Sequence, residues 1–73
     1  MNVKIKLNLR RLLEEKNVTQ QQLSAMTGIR QATISEMVNR RRRSVNLDYL
    51  ERILTVLDVK DPSRLIEFDK EAI

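Results

Sequence analysis

Residues 18–39 read VTQQQLSAMTGIRQATISEMVN. Thr19 and Gln22, three residues apart, form a capping-box pair that satisfies free amides at a helix start. Gly28 is the only glycine of the chain, and it falls where a helix must end and the chain must turn, a position that often needs a positive φ. The pattern predicts two short helices, about residues 20–27 and 31–38, joined by a tight turn.

The apolar residues of this segment predict which sides of the two helices are buried. Leu23 and Met26 give the first helix a buried edge, and Ile29, Ile34 and Met37 return the second to the core. The side chain of Ser24 is small enough for the second helix to cross closely over the first at this position. The remaining face of the second helix carries hydrogen-bonding groups and one small apolar residue: Arg30, Gln31, Ala32, Ser35 and Glu36. This pattern is typical of a helix-turn-helix, spanning about residues 19–38, whose second helix exposes its polar face for contact with a binding partner.

The rest of the chain predicts three further helices and a terminal strand pair. Alternating apolar and lysine residues at 3–7 predict a strand. Asn8 and Asn46 are candidate N-caps of helices with apolar residues at helical spacing; Asn46 precedes the clearest stripe, Leu47, Leu50, Ile53, Leu54 and Leu57. The Asp61–Pro62 dipeptide predicts a short fifth helix. An extended tail around Phe68 is the natural mate of the first strand, which would otherwise leave its edge unpaired.

Length and composition limit the class of protein. The 73 residues, 1–73, make one domain. Cysteine and histidine are absent, which excludes disulfides and the usual zinc sites, so we expect no metal and no cofactor. No apolar run approaches the roughly 20 residues that span a membrane, and the N-terminus lacks an apolar signal-peptide core. We therefore expect a cytoplasmic protein with no membrane or small-molecule partner.

The net charge of +4 is unevenly distributed. Residues 30–43 carry five arginines against Glu36, whereas residues 44–73 carry four Lys/Arg against seven Asp/Glu. The basic side therefore coincides with the helix-turn-helix and the segment after it. Phosphate neutralisation dominates nucleic-acid affinity, so a polyanion is the economical partner. A solvated loop or a protein-docking patch remains an alternative reading of the arginine run.

With these residues placed, the chain resembles the Xre-like helix-turn-helix family, the fold of phage Cro and repressor DNA-binding domains. The resemblance covers about Leu9 to Phe68, including the later leucine helix and an LxEF-like tail at residues 65–68. It rests on eight positions of the motif: Val18, Gln20, Leu23, Ser24, Gly28, Ile34, Met37 and Asn39. It implies an all-α, five-helix lambda-repressor-like domain, with a short two-stranded pairing of its terminal segments, encoded by a bacterium or a phage.

The resemblance also implies how duplex DNA would be bound. It places Gln31, Ala32, Ser35 and Glu36 at the major groove, and we add Arg30 as a base-reading residue because arginine pairs with guanine. It gives Gln20 a phosphate at the start of the first motif helix. Asn39 and the following loop would run along the backbone, so the predicted phosphate-binding residues are Gln20, Thr33, Asn39, Arg40, Arg41, Arg42 and Arg43. One of these arginines could instead enter a narrow minor groove.

Three positions depart from the family pattern. Arg30 stands where a Ser or Thr usually caps the recognition helix, so that cap is lost or replaced. Arg40 stands where a glycine usually follows the asparagine, which puts the left-handed turn there in question. Thr27 replaces a more usual aliphatic residue before Gly28. Of the three, we expect Arg30 to change what is recognised.

Three classes of function compete. We favour a transcriptional regulator, a repressor, acting as a homodimer on a two-fold operator. The alternative is an antitoxin-like or other protein-interaction subunit that neutralises a partner protein, for which the acidic C-terminal third offers Val56, Val59, Ile66, Phe68 and Ile73. An enzyme ranks last because histidine, cysteine and a glycine-rich phosphate loop are missing. RNA binding is disfavoured because Tyr49 and Phe68 are too few to form a stacking platform.

Overall fold

Four α-helices and a two-stranded sheet make up the described part of the chain. The computed structural model describes residues 2–39 and 44–71, and for residues 2–4 and 68–71 it describes the backbone alone. In chain order the elements are β1 (Asn2–Leu7), α1 (Leu9–Lys16), α2 (Gln20–Thr27), α3 (Gln31–Val38), α4 (Leu47–Val56), a 3₁₀ turn (Pro62–Arg64) and β2 (Ile66–Glu71). None of the described helices is long and apolar enough to cross a lipid bilayer.

The two terminal strands pair with each other, as predicted, and they run antiparallel. The register runs from Leu7 opposite Ile66 to Asn2 opposite Glu71, with Ile5 opposite Phe68. The sheet is joined to α1 because the backbone N–H of Asn8 donates to the carbonyl oxygen of Leu65 at 2.7 Å. The pairing thus closes the fold at the point where the first helix begins.

The predicted fifth helix is a single 3₁₀ turn rather than an α-helix. Asp61 caps it as expected, with its carboxylate accepting from the Ser63 amide at 3.0 Å and the Ser63 hydroxyl at 2.7 Å. These two bonds, the hydroxyl bond first, lower the pKa of the Asp61 carboxyl, with a smaller contribution from Arg64. Leu65 is fully buried and strand pairing starts at Ile66, so the chain extends before an α-helical turn can form.

The core lies between the helices and the start of the sheet. Among the side chains that the structure describes, its members are twelve buried apolar residues: Leu9, Leu12, Leu13, Leu23, Ile29, Ile34, Met37, Val38, Leu50, Ile53, Leu57 and Leu65. Val56, Val59 and Ile66, three of the residues considered for a partner protein, are half-buried and pack against this core. Phe68 and Ile73 have no described side chain. The three described members of that set therefore pack against this protein's own core, which leaves only part of each side chain exposed for a partner protein.

Two predicted core positions are wrong. Met26 is 48% exposed and Leu47 is 73% exposed. In α2 the buried position belongs to Thr27, one turn after Leu23, and its hydroxyl donates to the Leu23 carbonyl oxygen at 2.7 Å. That bond satisfies the polar group, so a threonine can occupy an inward position. Leu47 is the first residue of α4, before the helix reaches the core.

The ends of the helices follow the sequence closely. Asn17 ends α1 with φ 56°, and Gly28 ends α2 with φ 77°, both in the left-handed region. The side chain of Asn46 accepts from the Asp48 amide at 2.8 Å, as predicted for the cap of α4. Asn8 stands at the start of α1 but makes no side-chain capping hydrogen bond.

The capping box of α2 supports a test of local stability. The Gln22 amide donates to the Thr19 hydroxyl oxygen at 3.0 Å, and the Thr19 amide donates to Gln22 Oε1 at 2.9 Å. We expect Thr19→Ala to lower the free energy of unfolding by about 1 kcal/mol, because one helix-start amide loses its acceptor. The measurement is urea denaturation followed by circular dichroism.

The matched control for this test is Thr55→Ala. The Thr55 hydroxyl is also exposed, but it only donates to the Glu51 carbonyl oxygen within α4 at 2.7 Å. We expect that variant to stay within about 0.5 kcal/mol of the wild type. Equal losses in both variants would show that the box does not stabilise α2.

Candidate nucleic-acid interface

The turn between α2 and α3 fixes the direction in which α3 leaves the core. The Ser24 hydroxyl donates to the Ile29 carbonyl oxygen at 2.5 Å, and the Ile29 amide donates to the Thr27 hydroxyl oxygen at 3.2 Å. A Cβ at Gly28 would meet no atom within 4 Å, so its positive φ, and not crowding, is what favours glycine. The unusual Thr27 is thus part of the turn.

Helix α3 is anchored on one side and exposed on the other. Ile34, Met37 and Val38 are buried, with relative exposures of 0%, 1% and 5%. The predicted base-reading residues lie on the outer side: Arg30, Gln31, Ala32 and Glu36 are exposed, and Ser35 is half-buried. Thr33 is half-buried as well. Arg30 stands at the N-cap without a side-chain capping bond, as its sequence position predicted.

A hydrogen-bonded bridge connects α1 to the end of α3. Arg10 Nη2 donates to Asn39 Oδ1 at 2.8 Å. Asn39 Nδ2 in turn donates to the Ser35 carbonyl oxygen at 2.9 Å and to Ser35 Oγ at 3.3 Å. The carboxamide of Asn39, predicted to lie along the DNA backbone, is therefore engaged by protein groups at both ends.

Arg10 also faces the start of α2. Together with Gln20, it lines an open cleft of about 310 Å³ that is also lined by Leu13, Val18 and Val38. The capping box uses the Gln22 amide, while the amides of Gln20 and Gln21 have no hydrogen-bond partner within residues 2–39 and 44–71. Free amides and the positive end of the helix dipole favour an anion at this position.

Comparison with known proteins agrees with this geometry. The family model for the Cro/C1-type HTH DNA-binding domain matches residues 8–71. The chain belongs to this family. Among solved structures, a candidate DNA-binding protein from Bacteroides fragilis is similar to this Cro/C1-type domain, with a TM-score of 0.78 and 28% sequence identity. The similarity covers 88% of this chain and 100% of that one. No match is found among curated proteins.

Not every predicted contact of this Cro/C1-type domain can be placed. Arg40, Arg41, Arg42 and Arg43, predicted to bind phosphate, lie outside the described residues. Arg10, by contrast, was not among the predicted DNA-binding residues, because its position on α1 is typical of a charged side chain that is exposed to solvent. Its partner Asn39 is 29 residues away in sequence, so only the packing of α1 against α3 brings the two together.

Proposed function

We propose that this chain is a sequence-specific regulator that reads the major groove of duplex DNA with α3. The observation that carries the proposal is the two-sided character of that helix. Ile34, Met37 and Val38 hold one side rigidly in the core, while the opposite side exposes polar groups of defined geometry. A helix fixed in this way presents its side chains to base edges with little loss of conformational entropy on binding.

The exposed side chains supply distinct base preferences. Gln31 can pair bidentately with adenine through N6 and N7, and Arg30 with guanine through O6 and N7. Ala32 offers a methyl surface to thymine, and Glu36 an acceptor for cytosine N4. Each good bidentate pair contributes about 1–3 kcal/mol of discrimination. With Ser35 these residues make five proposed base-reading residues, which is enough to define a short half-site.

Contacts to the sugar–phosphate backbone would set the register of α3 in the groove. Gln20 lies at the start of α2 beside free amides, which suits a phosphate oxygen. Thr33 and the arginines at 40–43 complete the proposed phosphate set, together with Asn39, whose side-chain amide would have to exchange a bond to Ser35 for one to a phosphate oxygen. Backbone contacts of this kind add affinity without sequence information.

We further propose a homodimer that represses by occupying a two-fold operator. An α3 of eight residues is only about 12 Å long, so one copy reads few base pairs. Two copies with recognition helices roughly 34 Å apart would read two half-sites on one face of the duplex. Repression needs no residues beyond those that bind, since occupancy alone blocks a promoter.

Operator selection by sequencing tests this function. The full chain is incubated with a random-site duplex library, bound fragments are sequenced over several rounds, and the stoichiometry of the complex is measured by analytical ultracentrifugation. We expect an inverted repeat with half-sites about one helical turn apart and two chains per duplex. Selection without any enriched motif would contradict sequence-specific binding, and one chain per duplex would contradict the dimer.

Gln31→Ala is the most direct single-residue test of the reading helix. We expect it to abolish the preference for adenine at one position per half-site, a loss of about 1–3 kcal/mol in discrimination, while leaving stability within about 0.5 kcal/mol. Gln21→Ala is the matched control because Gln21 is an exposed glutamine on α2. An unchanged motif in Gln31→Ala, or the same change in both variants, would remove Gln31 from the reading set.

A further inference from the structure

Arg10 and the Ser35 carbonyl oxygen together fix the direction of the Asn39 carboxamide. A guanidinium group can only donate hydrogen bonds, so the atom that faces it at 2.8 Å must be the acceptor Oδ1. The backbone carbonyl of Ser35 can only accept, so the atom that faces it at 2.9 Å must be Nδ2. The two partners therefore select the same one of the two amide orientations.

That orientation determines what the Ser35 hydroxyl can do. Oγ accepts a hydrogen bond from Asn39 Nδ2 at 3.3 Å. Within residues 2–39 and 44–71 the hydroxyl of the half-buried Ser35 donates no hydrogen bond to the protein, so its own hydrogen is available to an acceptor on a partner. A hydroxyl oxygen has two acceptor sites, and Asn39 Nδ2 occupies one of those of Ser35, so this serine is biased toward donating to a base.

We propose that Arg10 is a positioning residue for sequence reading: through Asn39 it keeps the Ser35 hydroxyl as a donor toward the major groove. This inference rests on the proposed function. Guanine, adenine and thymine each present an acceptor in the groove, but cytosine presents only its N4 donor. The arrangement therefore disfavours cytosine at the base that Ser35 faces.

The test measures base preference at one defined position. Ser35→Ala first locates the base pair whose preference depends on Ser35, by operator selection followed by titration of the four duplexes that differ at this base pair. Arg10→Met then removes the donor but keeps a long side chain on exposed helix surface. We expect discrimination against cytosine at this position to fall by a factor of about 3 to 10, because the carboxamide then keeps only its bond to the Ser35 carbonyl oxygen and Nδ2 occupies Oγ less often.

Two further variants separate positioning from charge. Arg10→Lys keeps the positive charge and a donor-only group, so we expect it to retain most of the discrimination. Arg11→Met removes the same charge from the neighbouring position, where Arg11 Nε pairs with a carboxylate oxygen of Glu15 at 3.3 Å, and should leave base preference unchanged. In the absence of DNA, the side-chain amide resonances of Asn39 should shift in Arg10→Met and not in Arg11→Met.

Each result decides between defined alternatives. If the wild type selects a motif but Arg10→Met discriminates against cytosine as well as before, the positioning role is wrong and the proposed function stands. If Arg10→Met weakens binding to all four duplexes by one factor, Arg10 is a phosphate contact and the positioning role is again wrong. If the wild type selects no motif, the proposed function fails and this inference fails with it.

Discussion

Replacing Ile34 with alanine is expected to lower the free energy of unfolding by about 2–5 kcal/mol. Ile34 is fully buried at the centre of α3, and truncation leaves a cavity in the core. A domain of 73 residues has only roughly 4–11 kcal/mol of total stability. The substitution therefore removes a large share of the total free energy of unfolding. Urea denaturation, with the midpoint and the slope fitted separately, measures it.

The same variant connects stability to DNA binding. Since only the folded chain presents α3, apparent affinity should fall further as temperature rises toward the lowered melting point. Ile34→Val is the graded control, with an expected cost of about 0.5–1.5 kcal/mol and near-normal affinity. If Ile34→Ala were as stable as wild type, the anchoring of α3 by this residue would be wrong.

A steep salt dependence of DNA binding is the second large effect. The logarithm of affinity falls with the logarithm of salt concentration by about 0.9 for each phosphate neutralised. If about five basic side chains bind phosphate, the slope is about −4.5, and affinity falls roughly 500-fold between about 50 and 200 mM salt. Fluorescence anisotropy titrations of the selected operator at four salt concentrations give the slope.

Single arginine variants show where that charge acts. Arg42→Ala should weaken binding to all sequences alike and make the slope shallower by about 0.9. Arg64→Ala removes an equal charge from the 3₁₀ turn, where the guanidinium pairs with Glu15 of α1, and should leave the slope unchanged. Equal changes in both variants would mean that net charge, and not a placed phosphate contact, governs the affinity.

Local signals explain why much of the helix-turn-helix was predictable. The capping box at Thr19 and Gln22 and the positive φ of Gly28 depend on neighbours within a few residues, and the structure confirms both. The burial of Ile34 and Met37 follows from helical periodicity, and Ile29 is buried in the turn next to Gly28. These features need no knowledge of distant parts of the chain.

Other features depended on contacts that periodicity does not describe. Met26 and Thr27 are adjacent, and which one is buried depends on the rotation of α2 about its axis, together with a hydroxyl bond that lets a threonine point inward. The predicted fifth helix is a 3₁₀ turn in the structure, because the residues from Ile66 onward are paired with β1 and cannot continue a helix. In both cases a tertiary constraint overrode a local preference.

The residues by themselves determined the helix boundaries around Gly28, the side of α3 that is buried, and the polar composition of its outer face, because these are set by spacing and backbone preference. Tertiary structure decided the bridge from Arg10 through Asn39 to Ser35. Its ends belong to helices far apart in sequence, and a hydrogen bond of 2.8 Å forms only once packing has brought those helices together.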